Sequence, residues 1–418
     1  MRAERFELRT GAADLAAELR ALVPPPADVT RVVAEVIEDV RSRGDAAVLD
    51  WSRRFEGEEA SPGFARPEEL RAAPDAVDPA VRAALEVAIA NVREVAEAEL
   101  GQPPSVDLPQ GQHVELRELP VRRAGVYAPA GRAAYPSTVV MCSVPARVAG
   151  VEQVIVATPA RTSESRTVVL AACALCGVDE VYLAGGSQAI AALAHGTGTV
   201  DAVDMIVGPG NAYVQEAKRQ VFGTVGIDGI AGPSELVVVA DADADPRLVA
   251  LDLAAQAEHG SETLLVLVSP SEALLDTVEA DAAGLSRRPT VSDAPLALVR
   301  VGDLQAAVEL SNALAPEHLE LAVSEPGLLT PLVRSAGCVF VGRNGGVAFG
   351  DYAAGSNHVL PTGGAARFAG PLGASTFRRR QALVSLPDGA VQRLAPHVGS
   401  IARAEGFPVH GESAEARA

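Results

Sequence analysis

Gln153-Val154-Ile155-Val156-Ala157 is a short run rich in β-branched side chains, followed by a stretch of helical length. The same unit returns at Glu180-Val181-Tyr182-Leu183-Ala184 and at Asp204-Met205-Ile206-Val207. Short apolar strands that alternate with helices, from about Gly125 onward, are the pattern of a parallel α/β architecture. A second series begins at Leu236-Val237-Val238-Val239-Ala240 and continues through Leu264-Leu265-Val266-Leu267-Val268, Leu296-Ala297-Leu298-Val299 and Cys338-Val339-Phe340-Val341. Two sheets are expected, with the break near Ile230-Ala231-Gly232-Pro233-Ser234, where glycine and proline punctuate the pattern.

Outside these series the chain reads as helical. The first hundred residues carry a proline cluster at Pro24-Pro25-Pro26 and an amphipathic stretch from about Pro79 to Leu100. Near the end, Val391, Leu394, Val398 and Ile401 form one apolar stripe. Pro396 interrupts it, which predicts two short helices, and the tail after Gly411 is expected to fray.

At 418 residues the chain is too long for one ordinary core and should divide into two or more domains. A hydrophobic content of 48% with 21% charged residues describes a globular protein. The formal net charge of −19 argues against a nucleic-acid partner, because a phosphate backbone needs a basic stripe. The first ten residues have no apolar signal core, and no apolar run of bilayer length lacks an arginine or proline, so no membrane partner and a cytoplasmic location are expected. Four cysteines do not suggest a disulfide framework in a chain of this size. Cys173 and Cys176 lie in an apolar helical run and are expected in the core, and no positive neighbour marks Cys142 as an activated thiol.

A G-x-G-x-x-G fingerprint is absent. Its nearest substitute is Gly208-Pro209-Gly210-Asn211, which follows a strand and opens a helix at Asn211, where glycine would let a phosphate approach the backbone. Gly185-Gly186-Ser187-Gln188 repeats the arrangement one unit earlier. Two such crests on one sheet edge make a ligand crevice, although a glycine turn after a strand is also common for structural reasons alone.

The chemistry-bearing residues lie mostly further on. Asp245 is a good N-cap, Pro246 fits the first helical position and Gly260 suits a left-handed C-cap, so a helix closes near Gln256 and His259. Positions i and i+3 share a face, which lets the Gln256 carbonyl oxygen and a His259 ring nitrogen converge on one ion; taken alone, the pair reads equally as a polar helix end. In Ala315-Pro316-Glu317-His318-Leu319-Glu320, an N1 proline places Glu317 and His318 in a first helical turn, whose positive end would lower the basicity of His318 and keep its imidazole neutral. The glycine-rich segment from Gly345 to Thr362 carries Asp351, a hard oxygen ligand, and His358, which could ligate or bond to neighbouring backbone. Glu405 and His410 lie just past a helix near the C-terminus.

In this order these segments closely resemble histidinol dehydrogenases, from Tyr127 to His410. The motifs are Val207-Gly208-Pro209-Gly210-Asn211-Ala212-Tyr213-Val214, Ala217-Lys218-Arg219-Gln220, Val225-Gly226-Ile227-Asp228, Ala231-Gly232-Pro233-Ser234-Glu235, Gln256-Ala257-Glu258-His259, Pro316-Glu317-His318-Leu319-Glu320, Gly350-Asp351-Tyr352, Asn357-His358-Val359-Leu360-Pro361-Thr362 and the segment from Glu405 to His410. The resemblance implies a zinc-dependent enzyme that oxidises L-histidinol to L-histidine with two NAD molecules. It implies one zinc ion per subunit held by Gln256, His259, Asp351 and His410, and an acid/base pair of Glu317 and His318. Ser234 and Glu405 would contact the substrate, with Gln256, His259, His318, Asp351 and His410 around it, and Tyr127, Gln188 and Asn211 would contact NAD. It further implies two incomplete Rossmann-like parallel-sheet domains with small helical arms, in a homodimer where His410 reaches the partner's site. The boundaries expected are an N-terminal helical arm at 1–24, a metal and substrate α/β domain from 25–120 and 233–370, an NAD-binding domain at 121–232 and a C-terminal helical arm at 371–418.

The chain departs from the family pattern at Met141-Cys142-Ser143, where an asparagine is more usual, and over Gly373 to Arg380. Neither touches a metal or acid/base position, but both leave room for a paralogue with the same zinc and NAD chemistry on another small alcohol, such as a sulfonated diol. A zinc hydrolase or binding protein without redox activity is the alternative of a different class.

Overall fold

The computed structural model describes residues 1–9, 11–25, 27–130, 134–159 and 162–418; Pro26 of the proline cluster lies outside them. The strand series between 123 and 227 forms one five-stranded sheet in the order Glu180–Tyr182, Gln153–Ala157, Arg123–Tyr127, Met205–Val207, Gly226–Ile227, with every neighbouring pair parallel. The first strand in the chain lies in the middle, so the winding reverses between Arg123–Tyr127 and Met205–Val207. Helices Pro136–Ala149 and Ser163–Leu175 cover one face, and Gly186–His195 and Ala212–Val221 cover the other.

The second series forms a six-stranded parallel sheet in the order Arg2–Glu7, Pro295–Arg300, Leu264–Ser269, Glu235–Ala240, His318–Ala322, Cys338–Val341. Helices Ala12–Arg20 and Leu304–Leu314 pack on one face; Pro246–Ala257, Glu272–Leu285 and Val347–Tyr352 pack on the other. With helices on both sides, the central strands are buried at every position, which is why they read as unbroken apolar runs rather than alternating ones. The fold is thus α/β with two Rossmann-like parallel sheets, as expected. Among the described residues no helix is long and apolar enough to cross a membrane, and all four cysteines are free.

Several expectations are corrected. Arg2–Glu7 is a strand, not part of a helical arm; its alternating charges suit an exposed edge, and Arg5 bonds to Glu272, Asp276 and Glu279 of the adjacent helix. Helices Thr30–Arg43 and Asp45–Glu56 share the core of the five-stranded sheet, and Pro67–Ala76 and Pro79–Glu99 pack on its other face. The helices of the 25–120 segment therefore pack mainly with 121–232, although Asn91 of Pro79–Glu99 also donates to the Ala353 carbonyl oxygen at 2.7 Å. The segment after 371 includes the strand Arg378–Ser385, antiparallel to His113–Pro120, which also pairs with Ser105–Asp107. Pro396 sits inside one continuous helix, Asp388–Ala404. The tail after Gly411 does not fray: the helix Pro408–Glu415 crosses the preceding one where Gly411 meets Gly399, and Arg403 pairs with Glu415 at 2.9 Å. Two glycines at the crossing let the backbones approach. Val398 and Ile401 stay uncovered on this arm, Ile401 at 62% exposure.

Candidate active site

The helix Pro246–Ala257 starts as its sequence predicts: Asp245 accepts hydrogen bonds from the backbone N–H groups of Arg247 and Leu248, and Pro246 occupies the first position. It ends near Gly260, whose φ of +144° suits glycine. Gln256 lies in the last turn with 1% exposure, and His259 follows at the surface. The Gln256 Nε2 donates to Ser234 Oγ at 2.6 Å, and Ser234 Oγ donates to Glu317 Oε2 at 2.5 Å. The Glu235 N–H donates to the same oxygen at 2.9 Å. A buried relay thus runs from the amide through the hydroxyl to the carboxylate, and it leaves Glu317 Oε1 without a hydrogen bond among the described residues.

Glu317 and His318 do not open a helix. Leu304–Leu314 ends at Ala315, which adopts a left-handed φ of +46°, and His318 starts the strand His318–Ala322. The expected helix-end effect on His318 is therefore absent. The ring is 3% exposed, with Nδ1 at 3.5 Å from Glu317 Oε2 and 3.3 Å from the Glu235 carbonyl oxygen. Its Nε2 stands 3.6 Å from Asp351 Oδ1, and the Phe340 ring packs alongside at 6.0 Å.

Electrostatics follow from this packing. Burial would lower the proton affinity of His318, but the Glu317 charge and the Asp351 carboxylate outweigh it and push the imidazole up to about 10, opposite to the expected direction. Burial would raise Glu317, but His318 and the Ser234 and Glu235 hydrogen bonds hold it below the ordinary glutamate value. Asp351 is likewise lowered: burial opposes this, while His318 and then His358 and His259 favour its anion.

Other expected residues separate into those brought together and those left apart. Asp351 lies in the short helix Val347–Tyr352, and His358 bonds through Nδ1 to the Asp351 carbonyl oxygen at 2.8 Å. The backbone-bonded alternative for His358 thus holds. Glu405 caps the helix Asp388–Ala404 at its end and is exposed; His410 is also exposed, with its ring against Phe407 at 5.5 Å. Among the described residues no hydrogen bond or ion pair joins either to Gln256, His259 or Asp351 of the same chain.

A cation fits what these residues present. Gln256 Oε1 is buried and has no partner, although its Nε2 is held by Ser234, and a buried amide oxygen left bare is costly unless something binds it. It stands in the last turn of a helix, where the backbone carbonyls favour positive charge. Gln256, His259 and Asp351 form a mixed nitrogen and oxygen set. Among the described residues no three His, Cys, Asp or Glu side chains gather around a common point.

The five-stranded sheet carries the second part of the site at its carboxyl edge. Tyr127 ends the strand Arg123–Tyr127, and its hydroxyl accepts from the Gly186 N–H at 3.1 Å. Gln188 is buried in the first turn of Gly186–His195; its Nε2 donates to Glu56 Oε1 at 3.0 Å, and its Oε1 has no partner. Asn211 caps Ala212–Val221 by accepting from the Tyr213 and Val214 N–H groups. All three stand around the point where the winding reverses, the place where doubly wound sheets hold ligands. The two expected glycine crests are both present, with Gly186 at φ +66° and Gly208 at φ +112°.

Arg20 lies outside every motif, and Glu235 closes the motif Ala231-Gly232-Pro233-Ser234-Glu235 without being given a role there. Glu235 offers both its N–H and its carbonyl to the acid/base pair, while its side chain is buried against Arg20 at 2.5 Å. A charged residue opening a wholly apolar strand was the available signal.

Comparison with known proteins agrees with this geometry. The family model for histidinol dehydrogenase matches residues 25–418. A histidinol dehydrogenase from Pseudomonas fluorescens is 43% identical over 401 residues, covering 93% of this chain and 90% of its own. One from Chromobacterium violaceum is 43% identical and covers 99% of this chain and 98% of its own. The crystal structure of histidinol dehydrogenase from Elizabethkingia anophelis superposes with a TM-score of 0.91 at 29% identity, covering 100% of this chain and 98% of that one. A family model over residues 25–418 and relatives 43% identical over nine-tenths or more of both chains make it an oxidoreductase of the histidinol dehydrogenase family.

Proposed function

We propose that this enzyme oxidises L-histidinol to L-histidine in two successive steps through a bound aldehyde, the last steps of histidine biosynthesis, with zinc and NAD and in the cytoplasm. The observation that supports this reading best is the buried Gln256–Ser234–Glu317 relay beside His318 and Asp351, with an amide oxygen left free at its end.

In the first step the alcohol loses a hydride from carbon and a proton from oxygen. His318 takes the proton in its neutral form, which a cation held at Asp351 would favour by offsetting one of the two carboxylates that raise its proton affinity, and the Glu317 carboxylate stabilises the imidazolium formed. In the second step a water adds to the aldehyde carbon while the His318 imidazolium returns its proton to the carbonyl oxygen, which leaves the ring neutral again. Glu317 removes its proton: Oε2 is fixed by Ser234 and the Glu235 N–H, which leaves Oε1 for the water. The hydrate then loses a second hydride, and His318 again accepts the hydroxyl proton, giving the carboxylic acid. Tyr127, Gln188 and Asn211 would hold NAD at the carboxyl edge, where it would supply the hydride acceptor for each step. Gln256, His259, Asp351 and His410 of the partner subunit would hold zinc, which would supply a template for orienting the amino alcohol. Ser234 positions Glu317 and Gln256 as well as facing substrate, and Glu405 meets substrate from the C-terminal arm of a homodimer.

A steady-state assay of NADH formation tests this. Histidinol should support two NADH per molecule, and chelation followed by zinc should abolish and restore turnover. Turnover of a sulfonated diol without turnover of histidinol would move the protein to a paralogous activity. Bound zinc with no NAD-dependent absorbance change on any alcohol would reject the reading altogether.

A further inference from the structure

Two sequence motifs that the reaction leaves unused, Ala217-Lys218-Arg219-Gln220 and Val225-Gly226-Ile227-Asp228, meet on a single glycine. Lys218 lies in the helix Ala212–Val221 with 1% exposure, and Asp228 follows the edge strand Gly226–Ile227 with its side chain 7% exposed. They form a direct ion pair. Lys218 Nζ also donates to the Gly208 carbonyl oxygen at 3.0 Å, and Asp228 Oδ2 accepts from the Gly208 N–H at 2.7 Å. Both polar groups of one residue are therefore held by opposite ends of one buried ion pair.

Burying two charges costs desolvation that their attraction only partly offsets, and an apolar pair of similar size would stabilise the fold as well or better. What an apolar pair could not do is hold Gly208. That residue has φ +112°, and a side-chain carbon on it would collide with the Tyr127 carbonyl oxygen. The loop from Gly208 to Asn211 thus lies flat against the end of the neighbouring strand, at the reversal of the winding. Lys218 reaches back from the second turn of the helix that this loop opens, so loop and helix N-terminus move as one body.

We propose that Lys218 and Asp228 are positioning residues that clamp Gly208 and so preshape the dinucleotide crevice before the cofactor arrives. This rests on the proposed use of NAD. A loop ordered in advance has no ordering entropy left to lose on binding, so the clamp is read out as NAD affinity and not as chemistry.

The test uses the full-length protein. In Lys218→Met and Asp228→Asn, the dissociation constant for NAD, measured by calorimetry without substrate, should rise by about tenfold or more, while the KM for histidinol at saturating NAD stays within about twofold. Lys218→Arg should recover part of the affinity. In the unaltered protein, hydrogen exchange at the Gly208 amide should be slow both with and without NAD. This measurement decides the matter even if a variant fails to fold. Protection appearing only when NAD is added would overturn the clamp, as would wild-type affinity in folded variants. Absence of NAD binding to the unaltered protein would overturn the proposed cofactor and the clamp together, whereas normal binding with rapid Gly208 exchange would overturn the clamp alone.

Discussion

In the five-stranded sheet, Tyr127, Gln188 and Asn211 follow the carboxyl ends of strands, whereas in the six-stranded sheet Ser234, Glu317 and His318 stand where strands begin. The two sheets share one architecture but work from opposite edges. Helices in such units run against the strands, so a carboxyl edge collects helix N-termini and an amino edge collects helix C-termini. At the first edge Gly186–His195 and Ala212–Val221 present their positive ends, which suits the phosphates of a dinucleotide. At the second edge Gln256 sits in the last turn of Pro246–Ala257, which suits a cation. One architecture thus presents a positive helix edge and a negative one in a chain of net charge −19.

If this division holds, amino-edge substitutions should damage chemistry or metal binding and leave NAD affinity alone. The largest effect is expected for His318→Asn: both oxidation steps should slow by about a thousandfold, since a positioned proton acceptor is lost. Zinc content by elemental analysis should stay at the wild-type level. Glu317→Gln comes next, with a loss of about a hundredfold concentrated in the oxidation of supplied histidinaldehyde. Equal loss in the alcohol half would contradict the role given to Glu317.

The proposed sharing of His410 between subunits gives the third prediction. His410→Ala should weaken zinc binding by about tenfold or more, because a ligand should matter at least as much as the groups that orient ligands. Mixing this variant with an Asp351→Ala chain should restore some activity through heterodimers that hold one intact site. No recovery on mixing would place His410 in its own chain's service. The exposed Val398 and Ile401 of the C-terminal arm are compatible with a second copy covering that surface.

At the carboxyl edge, Gly208→Ala should push the loop off the Tyr127 carbonyl and raise the NAD dissociation constant by several-fold to about tenfold, with histidinol KM nearly unchanged. A variant that harmed histidinol binding equally would break the proposed separation of the two edges.

The smallest effect concerns stability. Glu320 lies two residues beyond His318 on the same face; burial, then the nearby Asp252 charge, pushes its carboxyl up to about 8, and burial pushes Asp252 up to about 6. The native state keeps the Glu320 proton longer than the unfolded chain does. Its contribution is therefore fully present below the ordinary glutamate value near 4.5 and is lost as pH rises towards 8. Glu320→Gln should flatten this decline, by on the order of 1–3 kcal/mol between pH 5 and 8 in urea unfolding. Parallel pH profiles for the two proteins would refute it.

Much of this was legible in one dimension. The buried strands announced themselves because helices on both faces demand apolar side chains at every position, and Asp245, Pro246 and Gly260 marked the ends of the helix carrying Gln256 by local backbone chemistry alone. The edge strand Arg2–Glu7 was invisible, because a solvent-facing edge needs no apolar run. Pro316 before Glu317 and His318 resembled a helix start, but Ala315 in the left-handed region turns the chain directly into a strand, and this choice is made by pairing with Glu235–Ala240 and Cys338–Val341.

The sequence by itself therefore determined the α/β class, the two strand series, the Asp245 N-cap with Pro246 behind it and, through dense motif agreement, the family. Tertiary structure alone decided that Gln256, Ser234 and Glu317 form one hydrogen-bonded relay, that His318 is raised rather than lowered, and that Lys218 and Asp228 converge on Gly208. The reason is that propensity and capping act over a few neighbouring residues, whereas a proton affinity or a buried ion pair depends on charges and burial contributed by segments far apart in the chain.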